Sequence, residues 1–244
     1  PVPAYGDGGP KMAAPAVAGL AGWGQVFGSL GRRKGDGNTA GSDISNGGFL
    51  FGFDAPFSVA QRFGLLAGYS RSNVDTDDRA SSGDADNFHL GGYGAARAGI
   101  FDLRFGAIHS WHRIETNRFV AFPGFTDALA ADYRARTAQL FGEISHVLTQ
   151  GNVRIEPFAG LAYVNQSTDG FTESGAAAAL SVASSVQETA FTTLGTRAEG
   201  QIALGGPPAR ISGALGWRHR FADIPPASLH TLAGGGSFSV AGAA

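Results

Sequence analysis

The sequence predicts an all-β fold, an antiparallel up-and-down transmembrane β-barrel. Apolar and polar residues alternate with a period of two through most of the chain. The alternating segments are joined by connections that are short and long in turn, and aromatic residues recur near one end of every second segment. Period-two alternation indicates strands with two different faces, and alternating loop lengths are typical of outer-membrane barrels.

Composition narrows the function classes. The chain has 244 residues, 38 of them glycine and none cysteine, and a net charge of −2. The absence of cysteine excludes disulfides, thiolate zinc sites and cysteine nucleophiles. A pI near 6.3 argues against a nucleic-acid partner, which would select a basic surface. No run of 18 apolar residues occurs, so the sequence predicts no spanning helix, whereas a spanning strand needs only about ten residues.

Nine segments show the alternation of a strand. In 101–112, Phe105 and Trp111 fall on one parity while Asp102 and Arg104 fall on the other. A helix would bring such charges onto its apolar face. The predicted strands are 23–31, 46–55, 62–72, 86–98, 101–112, 132–148, 153–163, 187–202 and 209–221.

The connections differ in length at the two ends of these strands. Long connections are predicted at 32–45, 73–85, 118–131, 167–186 and 222–236. Short connections are predicted at 56–61, 99–100, 149–151 and 203–208. Brief periplasmic turns and extended extracellular loops produce this asymmetry, so we expect the long connections outside the cell.

Aromatic residues mark the long-loop end of alternate strands. Tyr69, Trp111, Tyr163 and Trp217 occupy the apolar parity there. Amphipathic rings favour the boundary between hydrocarbon and headgroups, which predicts an outer aromatic girdle. The alternative is that they are core aromatics of a soluble barrel.

Charged and polar residues sort onto the opposite parity, which we expect to face a hydrated lumen. Arginine on the lipid side at the membrane midplane would cost about 2–4 kcal/mol. His109 is a polar residue on the apolar parity, but it lies only two residues before Trp111, where the penalty is smaller. In the first strand, Trp23 and Val26 lie on opposite faces, so the sequence does not assign its inner face. The predicted lumen residues are Asp54, His89, Tyr93, Arg97, Asp102, Arg104, Gln139, Glu143, Arg154, Glu156, Arg197, Glu199, Arg218 and Arg220.

No pattern of catalytic residues stands out. The chain lacks G-x-S-x-G between a strand and a helix and H-E-x-x-H on a helix. His109 and His112 fall on opposite faces of one strand, as do Glu143 and His146, so a shared metal is not expected. We therefore expect no enzyme activity, no metal and no cofactor in this segment.

The ordered motifs resemble the C-terminal translocator domain of the classical autotransporters, the type V secretion family. The matching pieces are Trp23-Gly-Gln-Val-Phe-Gly28, Gly47-Gly-Phe-Leu-Phe-Gly-Phe-Asp54, Leu90-Gly-Gly-Tyr93, Gln139-Leu-Phe-Gly-Glu143 and Ile155-Glu-Pro-Phe-Ala-Gly-Leu-Ala-Tyr163. The resemblance implies a 12-stranded barrel, threaded by an N-terminal helix, in the outer membrane of a Gram-negative cell. It also implies transport of an upstream passenger to the surface, with outer-membrane lipid, the passenger and the barrel-assembly machinery as partners.

Two domains follow from this organisation. Residues 1–22 are rich in Pro, Ala and Gly and are predicted to be a linker, and 23–244 the barrel domain. The chain lacks an initiating Met and a signal peptide, so we expect an excised segment. The resemblance implies a terminal aromatic residue, yet the chain stops at Ala244, soon after an expected tenth strand starts near Ser237. Single-chain barrels close with even strand numbers, so we expect the last two to three strands to be missing.

Three alternatives stay open. A porin- or adhesin-type outer-membrane barrel would have a signal peptide directly before the barrel rather than a long passenger. A soluble ligand-binding β-barrel would turn its apolar parity inward and need not alternate its loop lengths. An enzyme would require catalytic residues that this segment does not show.

Overall fold

The computed structural model describes residues 19–34, 41–76, 81–202, 209–221 and 227–241. These residues form strands and turns, and none of them belongs to a helix of a length and apolarity that would cross a membrane. Residues 1–18 of the predicted linker lie outside the described residues. The strands are β1 (Ala21–Arg33), β2 (Ser42–Ser58), β3 (Gln61–Thr76), β4 (Ser81–Ala98), β5 (Phe101–Phe122), β6 (Phe125–His146), β7 (Leu148–Gln150), β8 (Val153–Thr168), β9 (Phe171–Thr172), β10 (Leu180–Val182), β11 (Ser185–Ile202), β12 (Ala209–Phe221), β13 (Ala227–Leu232) and β14 (Ser237–Ala241).

The main sheet is a nine-stranded half-barrel in the order β1-β2-β3-β4-β5-β6-β8-β11-β12, with short β7 paired to β8. Every pairing in it is antiparallel, and each strand pairs with its neighbours along the chain apart from the short insertions. This confirms the all-β fold class and the nine predicted strands. Among the described residues β1 and β12 do not pair with each other, so the half-barrel has two open edges.

The predicted long connection 118–131 is wrong. Strands β5 and β6 have 22 residues each and pair without interruption from Phe101 opposite His146 to Phe122 opposite Phe125. Their turn is only Pro123 and Gly124, and Gly124 has a φ of +83°, a conformation that favours glycine. Strand β5 ends ten residues after its predicted end, and β6 begins seven residues before its predicted start, because cross-strand pairing continues to the turn although the sequence alternation weakens there.

Two other predicted loops, 167–186 and 222–236, contain strands. They contribute β9, β10 and β13 to a second sheet in the order β14-β13-β10-β9. Strand β14, expected as the start of a tenth barrel strand, pairs with β13 instead, so that prediction is wrong. Backbone pairing between distant loops has no local sequence signature, which is why the alternation pattern does not reveal it.

The short connections match the prediction more closely. The turn at 99–100 is confirmed, with a φ of +62° at Gly99, and 59–60 is also a turn. The predicted turn 149–151 overlaps β7 and is closed by Gly151 and Asn152. The connection 203–208 lies outside the described residues.

The described residues pack no large apolar core. The buried apolar side chains are the small set Leu66, Leu129, Ala131, Ala135 and Ala179. Large apolar side chains are instead exposed on one face of the sheet, including Phe49, Phe51, Phe53, Leu65, Phe88, Leu90, Phe105, Trp111, Leu140, Leu161, Leu194, Leu215 and Trp217. An apolar surface of this extent indicates contact with a membrane or a large partner.

Candidate functional site

The cross-strand pairing places all fourteen predicted lumen residues on one face of the sheet, which we call the polar face. Arg104 lies opposite Glu143, and Glu156 lies opposite Arg197. The remaining predicted residues follow by the same two-residue period from strand to strand; they are Asp54, His89, Tyr93, Arg97, Asp102, Gln139, Arg154, Glu199, Arg218 and Arg220. That this face lines a pore stays a prediction.

The pairing also assigns the first strand, which the sequence left open. Trp23 lies opposite Gly52 and Phe27 lies opposite Gly48, so both rings belong to the polar face. The Nε1 atom of Trp23 donates to the Oη atom of Tyr93, 2.5 Å away. Gly52 leaves room for the Trp23 ring, since a Cβ atom there would lie 2.6 Å from it, a relationship that appears only once the register is known.

Five charged side chains form a connected cluster on the polar face. Glu156 is 6% exposed and accepts from Arg104 Nη1 at 3.0 Å, Arg154 Nη2 at 3.1 Å and Arg197 Nη1 at 3.3 Å. Glu143 pairs with Arg104 Nη1 at 2.7 Å and with Arg197 Nη2 at 2.6 Å. We call these residues the Arg–Glu cluster. Three guanidinium groups face two carboxylates, so the cluster carries a net positive charge.

The reach of this cluster shows the curvature of the sheet. Arg104 in β5 contacts Glu156 in β8 across the intervening β6, and Arg197 in β11 contacts Glu143 in β6 across β8. Adjacent strands lie about 4.8 Å apart, so these contacts require side chains that lean together over the strand between. The polar face is therefore the concave side of the half-barrel.

An aromatic ring packs against the Arg–Glu cluster. The Cζ atom of Arg197 lies 3.9 Å from the centre of the Phe158 ring, a cation–π contact. The same ring lies over Gly195, where a Cβ atom would be 2.5 Å from Phe158 Cζ. Glycine at this position thus lets a flat ring lie on the strand and hold the guanidinium.

A second cluster occupies the polar face near β2 to β4. Arg62 Nε donates to Asp54 Oδ1 at 2.6 Å, and the Tyr93 hydroxyl donates to Asp54 Oδ2 at 3.0 Å. The side chains of Arg62 and Asp54 are only 11% and 17% exposed. Sequence analysis missed Arg62, although it shares the parity of Gly64 and so falls on the face that receives Tyr93.

Two histidines of the polar face are hydrogen-bonded to neutral side chains. His89 Nδ1 lies 2.7 Å from Ser110 Oγ, while His112 contacts Asn87 Oδ1 at 2.6 Å and Thr137 Oγ1 at 2.9 Å. Within the described ranges, no three His, Asp or Glu residues are arranged to hold a metal ion. Because His89 Nε2 also lies 3.0 Å from Ser70 Oγ in β3, the hydrogen bonds of the two rings connect β3 to β6.

The four predicted girdle residues lie on the opposite, convex face. Tyr69 and Trp111 share one row of the sheet, on either side of Phe88. Tyr163 lies four residues nearer the short turns than the row of Trp111, and Trp217 lies a further four. Strand tilt in a barrel displaces residues of equal height along the register in this way.

The loop end of the polar face is covered by the segment 173–178. The carboxylate of Asp127, 6% exposed, accepts from the backbone N–H of Ala176 at 3.0 Å and of Ala178 at 2.9 Å. Arg118 forms a two-point ion pair with Glu173, at 3.1 Å and 2.6 Å. Asp127 and Arg118 share the polar parity, so this latch holds the segment against the polar face of the β5–β6 hairpin at its long-loop end.

A ring stack completes the latch. Tyr133 and Phe171 lie 4.1 Å apart and within 7° of parallel. The sequence pattern does not reveal this stack, because Phe171 lies in the predicted connection 167–186 and Tyr133 in the predicted strand 132–148.

Comparison with known proteins identifies the family. Residues 22–244 match the family model described as the autotransporter beta-domain. Two proteins of Serratia marcescens, each described as an extracellular serine protease, are 37% and 35% identical over 202 residues. These matches cover 83% of the chain but 19% of each relative, so the chain spans about a fifth of their length.

Solved structures show the same fold. The translocator domain of the autotransporter NalP from Neisseria meningitidis aligns with a TM-score of 0.58 at 14% identity, covering 90% of this chain and 69% of that one. The beta domain of the Bordetella autotransporter BrkA aligns with a TM-score of 0.59 at 20% identity, covering 88% and 84%. The resemblance predicted from the strand motifs is confirmed: the chain belongs to the autotransporter β-domain family.

Proposed function

We propose that this chain is the outer-membrane translocator barrel of a Gram-negative cell and carries an upstream passenger to the cell surface. The observation that carries the proposal is the division of one sheet into two chemically opposite faces. The concave face holds paired charges and hydrogen-bonded histidines, and the convex face exposes large apolar side chains. Family membership supports the same role.

The convex face suits a lipid environment. From Val153 to Tyr163 the strand rises over ten residue steps, which at about 3.4 Å per step and a tilt near 40° gives about 26 Å. That height matches the apolar band of outer-membrane barrels. Exposed Trp111, Tyr163 and Trp217, at 45%, 37% and 59%, would lie at its upper border.

The concave face suits passage of a polypeptide. Its guanidinium and carboxylate groups are interleaved in the Arg–Glu cluster, so a passing segment of either charge meets both attraction and repulsion. The proposed partners are outer-membrane lipid, the protein's own passenger and the barrel-assembly machinery. The chain itself is proposed to act in transport, without catalysis; the name "serine protease" belongs to the Serratia proteins.

These 244 residues contain no cysteine, so single cysteines introduced here can report orientation once any cysteine elsewhere in the full-length protein has been replaced by serine. Pro123→Cys places a thiol in the β5–β6 turn, and Ile100→Cys places one in the β4–β5 turn at the other end. In the full-length protein, a membrane-impermeant maleimide should label Pro123→Cys on intact cells and Ile100→Cys only after the outer membrane is permeabilised. The reverse pattern would overturn the orientation, and equal labelling of both would overturn membrane insertion.

A further inference from the structure

Arginine is distributed unevenly on the convex face. The described arginines that lie there are Arg32, Arg71, Arg113, Arg134 and Arg136. All five lie level with the aromatic girdle or on its long-loop side. Towards the short turns, the described part of this face carries no arginine. Avoidance of the apolar band explains why they are absent from the middle, but not why they gather at one end only.

Three of these residues form a patch on β5 and β6. Arg113 lies directly opposite Arg134, and Arg136 lies opposite Trp111 of the girdle. All three arginines are exposed. Like charges directly opposite on neighbouring strands repel each other. We call Arg113, Arg134 and Arg136 the arginine patch.

The patch is poorly neutralised by the protein. Arg71, nearby on the same face, pairs with Asp84 at 3.4 Å, and Arg136 approaches Asp169 at 3.6 Å. Arg113 and Arg134 form no ion pair with any residue that the structure describes. By contrast, Arg104 and Arg197 on the concave face each pair with two carboxylates.

The described acidic groups near the patch form no ion pair with Arg113 or Arg134. Asp86 lies opposite Arg113 and accepts a hydrogen bond from the Tyr69 hydroxyl. Glu115 and Asp132 lie opposite each other, two residues further from the girdle, on the side expected to face water. At the level of Arg113 and Arg134, the carboxylates of Asp86 and Asp169 lie on the two outer flanks of the pair, so an anion that approached between the two arginines would meet their guanidinium groups first.

We infer that the arginine patch binds a phosphate group of a phosphorylated glycolipid headgroup, of the lipid A class, in the outer leaflet. This inference rests on the proposed membrane insertion with the long loops outside. Arg113 and Arg134 lie two residues beyond Trp111, about 7 Å along the strand, which is headgroup level above an aromatic girdle. Planar guanidinium groups bind phosphate oxygens in pairs, and a phosphate between Arg113 and Arg134 would convert their repulsion into attraction.

The test compares lipid affinities of the purified full-length protein in detergent. The probes are fluorescent bis-phosphorylated lipid A and the same lipid with both phosphates removed. The double variant Arg113→Gln/Arg134→Gln is matched by Arg218→Gln/Arg220→Gln, which removes the same charge from the opposite face. We expect the first variant to bind phosphorylated lipid A about tenfold more weakly than the wild type, and the second within about twofold.

Three results would overturn the inference. They are equal affinity for the two lipids, equal weakening by the two double variants, and displacement of the lipid by millimolar inorganic phosphate, which would indicate a free-anion site. Heat-modifiable migration on gels is recorded for every sample, because it reports the folded barrel separately. A wild-type protein without it would contradict the proposed function itself, whereas a folded wild type with one of the three results contradicts the lipid site alone.

Discussion

The indole nitrogen of Trp23 in β1 donates to the hydroxyl of Tyr93 in β4, 2.5 Å away, across two intervening strands. The ring of Trp23 lies over Gly52 in β2, and the ring of Tyr93 lies over Gly64 in β3. The two aromatic side chains thus bridge four strands on the concave face. Their closure requires strands without side chains beneath them, which gives part of the glycine excess a structural role.

Substitution of these glycines should destabilise the barrel. In Gly52→Ala the new Cβ atom would lie 2.6 Å from the Trp23 ring, so the ring must move and the bond to Tyr93 is lost. We expect a loss of about 1–3 kcal/mol in the free energy of unfolding, measured by urea titration of heat-modifiable migration. The control is Gly92→Ala, whose Cβ would meet its nearest neighbours at 3.7 Å. Equal stability of the two variants would contradict the close-packing account.

The Arg–Glu cluster should depend on Glu156. Glu156→Gln removes the negative charge shared by Arg104, Arg154 and Arg197, and leaves partly buried guanidinium groups with weaker acceptors. We expect the free energy of unfolding to fall by about 1–3 kcal/mol.

Glu199→Gln is the matched control for this cluster. Its pair with Arg210 is exposed, at 38% and 67%, so its loss should cost under about 1 kcal/mol. Equal destabilisation of Glu199→Gln and Glu156→Gln would show that the Arg–Glu cluster contributes no more to stability than an exposed ion pair.

An added arginine should impair assembly more on the convex face than on the concave face. Leu215 lies on the convex face and is 81% exposed, whereas Ser212 lies on the concave face opposite Glu199. Because Leu215 lies only two residues below Trp217 of the girdle, between the interface and the midplane, Leu215→Arg should impair assembly by an amount equivalent to about 1–3 kcal/mol, and Ser212→Arg by much less. The measurement is the fraction of heat-modifiable protein in outer-membrane preparations. Similar fractions for both variants would refute the assignment of faces.

The latch between the segment 173–178 and the β5–β6 hairpin should depend on Asp127. Asp127→Ala removes the acceptor for the backbone N–H groups of Ala176 and Ala178. We expect protease added to intact cells to cut within 173–178 several-fold faster, because local opening becomes more frequent. Asp132→Ala, on the other face of β6, should leave the rate unchanged. No acceleration in Asp127→Ala would mean that the segment is held by other contacts.

The period-two pattern was sufficient to predict the nine strands and the two faces of every strand but the first. Parity is a local property, so Arg104 and Glu143 could be placed on one side without knowledge of their contact. Which side chains come into contact depends on the register between neighbouring strands, and the sequence of one strand alone does not determine that register. This is why the inner face of Trp23, the role of Arg62 and the salt bridges within the Arg–Glu cluster required the structure.

The loop end was the least predictable part. The segment 118–131 looked like a loop because its polar and small residues weaken the alternation, yet Asp127 and Arg118 there bind the segment 173–178. Likewise, β14 pairs with β13 rather than with the barrel edge. Both outcomes depend on contacts between distant segments, for which strand propensity carries no information.

The central claim, that the barrel carries an upstream segment to the cell surface, is tested most directly by antibody labelling of intact cells. An epitope is inserted upstream of Gly19 in the full-length protein, and a second version carries it in the turn 99–100. The account predicts that the upstream epitope is labelled on intact cells while the turn epitope is labelled only after permeabilisation. An upstream epitope that is labelled only after permeabilisation, in protein whose heat-modifiable migration shows a folded barrel, would contradict the claim.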